Sequence, residues 1–223
     1  MDNFKYSPPN SPIEIVYQDE YFIVINKPSG LLSVPGRLDD RKDCVLSRLE
    51  GEFGSLYAVH RLDMDTSGLM VIARDKPTHA ALSQQFQNRK VIKIYQALVW
   101  GKLLHINGQI ERPLICDWPN RPRQIVCYVN GKYALTHYQV IHSAVQNNHE
   151  VSYLALYPHT GRTHQLRVHM QDIDHPILGC DLYAHPQAKK ASPRLCLHAS
   201  NLAITHPITQ HPMSWQLMAD FWF

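Results

Sequence analysis

At 223 residues, with 44% hydrophobic and 18% charged positions, the chain is long enough to bury a sizeable core as one large domain or two small ones. No apolar run approaches the ~20 residues that span a bilayer, and Met1-Asp2-Asn3-Phe4-Lys5 lacks a basic-then-apolar signal, so the expected setting is the cytoplasm with no membrane involved. The net charge of +3 hides a local excess, because Lys76 to Ala134 holds nine Lys/Arg against two acids, Glu111 and Asp117.

Residues 1–12 carry Pro8, Pro9 and Pro12 and read as an extended arm. Ile13 to Gln18 and Tyr21 to Asn26 are β-rich runs joined at Asp19-Glu20, which predicts a hairpin. Lys27 to Arg37 is too rich in Pro and Gly for helix or strand. Asp43 is placed to cap a short helix with Val45, Leu46 and Leu49 on its apolar face. Leu69 to Ala73 is a nearly continuous apolar strand, implying burial on both faces. Asp75 then caps a helix that starts near Pro77 and ends about Asn88, with Ala80, Leu82 and Phe86 facing inward. Val91 to Trp100 returns as a strand, with Lys93, Tyr95 and Ala97 on one face.

Gln124 to Val129 and Tyr133 to Ile141 flank Asn130-Gly131, the strongest hairpin signal in the chain. Val151 to Tyr157 is a further strand. Thr163 is placed to cap a helix on which His164, Arg167 and Val168 share a face, and Asp174 to Gly179 is a loop. Arg194 to Thr205 and Met213 to Leu217 close the chain as strands about a His206-Pro207 turn. Many strands with few short helices, not in βαβ alternation, predict an α+β fold with a mixed, largely antiparallel sheet.

Five cysteines, an odd number without C-x-x-C, argue against a disulfide framework and a thiolate zinc site, and read as reduced thiols. None of the 14 histidines sits in H-E-x-x-H, and the five-residue spacing of His159, His164 and His169 does not align on a helix face, so no metal is expected. The chain lacks G-x-G-x-x-G, G-x-x-x-x-G-K-[ST] and G-x-S-x-G, which removes the nucleotide-cofactor and α/β-hydrolase classes.

His60-Arg61-Leu62-Asp63-Met64-Asp65-Thr66-Ser67-Gly68 puts cations, carboxylates, hydroxyls and a glycine between two strand-like runs. By composition it is either a solvated turn or the lip of a site. One loop rarely supplies the opposed carboxylates of a glycosidase, so a single acid beside arginine remains. The basic middle interleaves Tyr95, Trp100, Trp118, Tyr128 and Tyr133, a composition that fits phosphate binding and base stacking, or a solvated face over core aromatics.

The nine residues from His60 resemble the H-R-L-D-x-x-T-S-G signature of the RluA family of pseudouridine synthases. Asn26-Lys27-Pro28-Ser29-Gly30, Tyr95-x-Ala97-x-Val99-x-Gly101 and Gly161-Arg162-Thr163-His164-Gln165-Leu166-Arg167-Val168-His169 match further family motifs in order. Leu31 to Arg37, Leu114 to Pro122 and His175 to Gly179 are similar to the family's short members. Asp65 departs from those members, which carry a small residue there; other members have acids.

The resemblance implies a single catalytic domain over residues 13–223 with no S4 domain, and a central RNA-binding cleft in the mostly antiparallel fold. It implies isomerisation of uridine to pseudouridine in a flipped-out loop nucleotide, without redox, nucleotide or metal cofactors. Asp63 is then the essential carboxylate acting on the ribose as nucleophile or base, Arg167 its partner, and Tyr95 the ring against the base. Arg61 fills the space that the uridine leaves, while His60, Arg162 and His164 contact RNA or shape the loops. The substrates implied are a tRNA anticodon loop and a large-subunit rRNA loop, and the expected state is a monomer. A non-catalytic RNA-binding or RNA-folding protein on the same scaffold would not need Asp63, whose charge repels phosphate. A metal-dependent RNA hydrolase would instead use the histidines.

Overall fold

A computed structural model describes residues 5–146 and 148–221. In chain order its elements are β1 (Glu14–Gln18), β2 (Phe22–Lys27), α1 (Val45–Phe53), β3 (Tyr57–Ala58), β4 (Ser67–Ala73), α2 (Lys76–Gln87), β5 (Ile92–Trp100), β6 (Asn107–Glu111), β7 (Leu114–Cys116), β8 (Gln124–Val126), β9 (Leu135–Gln146), β10 (His149–Pro158), α3 (Gln165–Asp172), α4 (Pro186–Lys190), β11 (Leu197–Thr205) and β12 (Pro212–Gln216). Strands joined mainly by antiparallel pairing, with four short helices among them, make this the expected α+β class. The chain divides into two compact units, Met1–Ile92 with Ala199–Leu217 and Lys93–His198 with Met218–Phe223.

In the first unit the predicted hairpin forms between β1 and β2, with Ile15 opposite Ile25. The Asp19 carboxylate closes its turn by accepting from the amides of Tyr21 and Phe22, each at 2.8 Å. β2 pairs antiparallel with β4, Val24 opposite Val71, and β12 lies on β11 with Leu202 opposite Trp215. Every residue of β4 is buried, as its apolar run predicts. Phe22, Val24, Leu69, Val71, Leu82, Leu202 and Ile204 form the core of this unit.

Helix α2 is capped as expected, the Asp75 carboxylate accepting from Thr78 N–H at 2.7 Å. Its inward stripe is Thr78, Leu82 and Phe86, not Ala80, which is exposed. Steps of four keep those three on one face, and a position two residues away points elsewhere.

Asp43 does not cap α1. The cap is Cys44, whose Sγ accepts from Ser47 N–H at 3.4 Å while Ser47 Oγ accepts from Cys44 N–H at 2.9 Å. Asp43 holds Arg48 in a two-pronged pair, both contacts 2.7 Å, and a charge-assisted fork outweighs a single cap bond. The first described residues are also tied down: Tyr6 is buried, donates to Asp43 O and accepts from Leu32 N–H, both at 2.9 Å.

The second unit carries the order β5-β10-β9-β6, each pairing antiparallel. Val151 to Leu156 of β10 are all buried, and their apolar side chains pack with Ala97, Val99, Leu166, Met170 and Leu178. Asn130-Gly131 does not join two paired strands. β8 pairs with β7, Leu114 opposite Val126, and Lys132 returns to exchange both backbone bonds with Leu114. Gly131 N–H closes instead on Cys127 O, so tightly that a Cβ there would lie 2.1 Å from that oxygen. The tight hairpin of this unit joins β9 to β10, where Asn148 adopts φ of 65°, a conformation asparagine tolerates better than most residues.

Thr163 likewise does not cap α3. The cap residue is His164, at φ 54°. The Gln165 side chain does the anchoring: Oε1 accepts from Thr160 Oγ1 and Arg162 N–H, and Nε2 donates to Leu135 O and Thr136 Oγ1. Gln165 to Met170 are buried without interruption, so α3 has no solvent face over that stretch.

Candidate active site

In the first unit Asp63 sits in the loop between β3 and β4, and the segment after β2 grips that loop on both sides of it. Before Asp63, Ser33 Oγ donates to Leu62 O at 2.7 Å and accepts from Leu62 N–H at 3.1 Å. After Asp63, Met64 O accepts from Gly30 N–H at 2.9 Å and from Lys27 Nζ at 2.8 Å. Ser29 Oγ donates to Asp65 O at 2.7 Å. Asp63 O closes the turn by accepting from Thr66 N–H, so the turn spans Asp63 to Thr66, while Ser67 and Gly68 already belong to β4. Gly68, at φ 109°, lies against the Ala199 backbone, where a Cβ would come within 2.4 Å of its oxygen. Leu62 and Thr66 are buried while Asp63 is half-buried, which presents the carboxylate from a backbone fixed at both ends.

Arg61 is exposed beside it. His60 is turned into the fold, its Nε2 accepting from Val71 N–H at 3.1 Å and its ring stacked on Phe86 at 4.5 Å. Lys27 shows almost no signal in the sequence beyond its motif, yet it is fully buried with Nζ donating to Pro28 O, Leu31 O and Met64 O at 2.7–2.8 Å. Burial pushes its ammonium down to about 7, opposed by the charges of Asp65 and Asp63. Three acceptors around one nitrogen favour the ammonium, since a neutral amine has only two hydrogens to give.

In the second unit Tyr95 lies on β5 opposite Leu156, half-buried at the margin of the core. Arg167 on α3 is 3% exposed, with Nη2 donating to Asp181 Oδ1 at 2.5 Å and Nε donating to Cys180 Sγ at 3.3 Å. Its guanidinium also lies 5.3 Å from the Tyr183 ring centre. His164 is half-buried with Nδ1 2.6 Å from Tyr183 Oη, and that oxygen accepts from Gln124 N–H at 2.8 Å. Burial pushes the Tyr183 phenol up to about 12, which keeps it protonated at neutral pH. Arg162 is exposed, and its Nε donates to Tyr133 O at 2.9 Å.

Two residues here escaped the sequence-based selection of site residues. Lys93 shares the Tyr95 face of β5 by strand alternation, and burial lowers its ammonium pKa. Its Nζ would stand 3.8 Å from a Cβ on Gly161, so it reaches the loop that precedes α3. Tyr183 lies in a stretch with no motif signal at all. Of the spaced histidines, His169 is buried with both nitrogens engaged, at 3.0 Å to Thr136 Oγ1 and 3.1 Å to Arg112 O. Among the described residues no group of three or more His, Cys, Asp or Glu is arranged to hold a metal ion, and no helix is long and apolar enough to cross a membrane. The five cysteines are free thiols, with Cys44, Cys180 and Cys196 buried.

The first unit thus presents one carboxylate from a loop fixed on both sides, and the second holds a buried arginine against the Tyr183 ring. The family model described as RNA pseudouridylate synthase matches residues 21–172. The chain is 50% identical over 222 residues to the dual-specificity RNA pseudouridine synthase RluA of Escherichia coli, covering 99% of each. To the Pasteurella multocida protein described in the same words it is 52% identical, covering 99% of this chain and 100% of that one. Among solved structures, human RNA pseudouridylate synthase domain containing 1 superposes with a TM-score of 0.81 at 28% identity, covering 97% of this chain and 88% of the human one. The chain belongs to the RluA family of RNA pseudouridine synthases. It is an isomerase that converts uridine in RNA to pseudouridine.

Proposed function

We propose that Asp63 is the catalytic carboxylate and that the substrates are the anticodon loop of tRNA and a loop of large-subunit rRNA. The observation that carries the assignment is the double anchoring of the loop: Leu62 is held by Ser33, and Met64 by Lys27 and Gly30, so the aspartate between them is fixed in position. Preorganisation of this kind removes most of the reorientation a flexible nucleophile or base would need. Asp63 attacks or deprotonates the ribose, the C1′–N1 bond breaks, and the uracil turns and closes a C1′–C5 bond as Asp63 gives back the bond or proton it took; C5 then loses its proton and N1 gains one. No redox step, nucleotide or metal is required. Tyr95 lies against the base, and Arg167 completes the catalytic set. The exposed Arg61 fills the gap in the RNA loop, while Arg162 and His164 shape the RNA-facing loop before α3. His60 supports the Asp63 loop from within through Val71 and Phe86.

Two substrates fit the dual specificity of the Escherichia coli relative. We take residues 13–223 as one catalytic domain, acting as a monomer in the cytoplasm. The test is to map pseudouridine in tRNA and rRNA incubated with wild type and with Asp63→Asn. The expected result is product at discrete loop uridines with wild type and none with the variant. Full activity of Asp63→Asn would remove the assignment, and modification confined to other RNAs would remove the substrates.

A further inference from the structure

The second unit carries an aromatic and cationic surface that the catalytic assignments leave unused. The loop between β7 and β8 is braced by its own backbone. Asp117 N–H bonds Arg123 O at 2.9 Å, Asn120 N–H bonds Asp117 O at 3.0 Å, and Arg123 N–H bonds Asn120 O at 3.1 Å. The Asn120 side-chain amide adds a bond to Asp117 Oδ2 at 2.9 Å. Held on this frame, Trp118 remains 65% exposed. Arg121 is pinned beside it, with Nε donating to Trp118 O at 3.2 Å and its guanidinium 4.8 Å from the ring centre. Tyr128 and Val129, past the other end of β8, are exposed as well.

The charges of this surface are uncommitted: among the described residues Arg121, Arg123 and Lys132 form no ion pair, whereas Arg112 is paired to Asp172. Its position in the unit is also specific. The Arg123 guanidinium lies 5.2 Å from the Tyr183 ring centre and that of Arg167 5.3 Å from the same ring, so one buried tyrosine joins this loop to α3.

We propose that Trp118, Arg121 and Arg123 form a docking subsite for a single-stranded RNA nucleotide neighbouring the one that is modified. The base stacks on the indole, and the adjoining phosphates take the two guanidinium groups. An indole accepts any base face, and arginine matches the spacing of phosphates, which an acidic peptide would satisfy only in part. The neighbouring position rests on the reading of Arg167 as a residue of the catalytic site; binding itself does not.

The test uses a short mixed-sequence single-stranded RNA and follows tryptophan fluorescence. Wild type is expected to be quenched on binding, and Trp118→Phe to bind with much of the quenching lost. Trp118→Ala is expected to weaken affinity roughly 5- to 150-fold, the usual range for one stacked base. Arg121→Gln should flatten the dependence of log affinity on log salt by about 0.7, one single-strand phosphate contact. The affinity loss caused by Trp118→Ala should be the same in an Asp63→Asn background, so a failed catalytic assignment stays distinguishable from a failed subsite. Unchanged affinity in both Trp118→Ala and Arg121→Gln would overturn the proposal, as would tight binding of polyglutamate in place of RNA. If Trp118→Ala does not fold, Trp118→Phe quenching and the Arg121→Gln slope decide.

Discussion

Lys27 shows how a buried charge can hold a loop, here the one that carries Asp63. Replacing it with methionine removes the donor shared by the Pro28, Leu31 and Met64 carbonyls; Met64 O keeps its bond from Gly30 N–H, while Pro28 O and Leu31 O lose their side-chain donor. Each orphaned buried acceptor costs about 1–3 kcal/mol, partly offset because the ammonium no longer has to be desolvated. Lys27→Met is therefore expected to lower unfolding free energy by about 1–3 kcal/mol in urea titrations, and to lower kcat through a looser Asp63 loop. The depressed pKa adds a second readout. The unfolded chain keeps this proton up to the ordinary 10.5 while the folded protein releases it at about 7, so the lysine contributes stability that grows as pH rises between those values and vanishes below about 7. Lys27→Met should erase that rising segment; a variant with the same pH profile as wild type would show that the lysine is not titrating. At this scale the sequence was legible at the loop of Asp63, whose polar residues between two apolar runs do form a turn, closed by Thr66 N–H on Asp63 O. It was silent at Tyr183, whose contacts join residues from Arg123 to Arg167 that only folding brings together.

Elements were legible where periodicity and burial agree. β4 is apolar at nearly every position and buried at every one, and α2 starts at Asp75 because both the cap and Pro77 sit where the helix needs them. The failures come from competition that a local pattern cannot show. Asn130-Gly131 carries the right dipeptide for a hairpin, but β8 already has β7 as its partner. Thr163 is a good cap residue, but Gln165 reaches four partners and sets the start of α3 instead. This gives Gln165 a testable weight. Gln165→Leu fills similar volume while stranding the Arg162 amide and the Thr160 hydroxyl proton, so it should destabilise by about 1–3 kcal/mol per orphaned group. Because α3 also carries Arg167, activity should fall further than stability alone explains, measured as kcat at a temperature where the variant remains folded. Gly68→Ala should act on the other unit. Its Cβ would strike the Ala199 backbone and its positive φ resists a side chain, so a Tm drop of several degrees is expected from about 1–3 kcal/mol of overpacking. An Ala variant with wild-type Tm would mean that β4 and β11 shift apart freely.

Across the whole chain the charge is unevenly divided. Residues 93–198 and 218–223 hold 11 Lys/Arg against seven Asp/Glu, whereas the other unit holds 11 against 12, so the surplus of +3 lies entirely in the unit that carries α3 and the Trp118 loop. Several of the cations in the acid-rich unit are committed, Arg48 to Asp43 and Lys27 to three carbonyls, so they have little to offer an RNA backbone. Phosphate contacts release condensed counterions, and the slope of log affinity against log salt counts them at roughly 0.7 to 0.9 per contact. Affinity for RNA is therefore expected to fall steeply with salt, and the slope should flatten by about 0.7 to 0.9 for each contacting cation removed from the basic unit. Arg121→Gln with Arg123→Gln should lose about twice that, whereas Arg37→Gln with Lys42→Gln in the acid-rich unit should leave the slope unchanged. Equal flattening by both pairs would mean that the RNA is held by net charge, and the uneven division would then have no part in choosing where the strand lies.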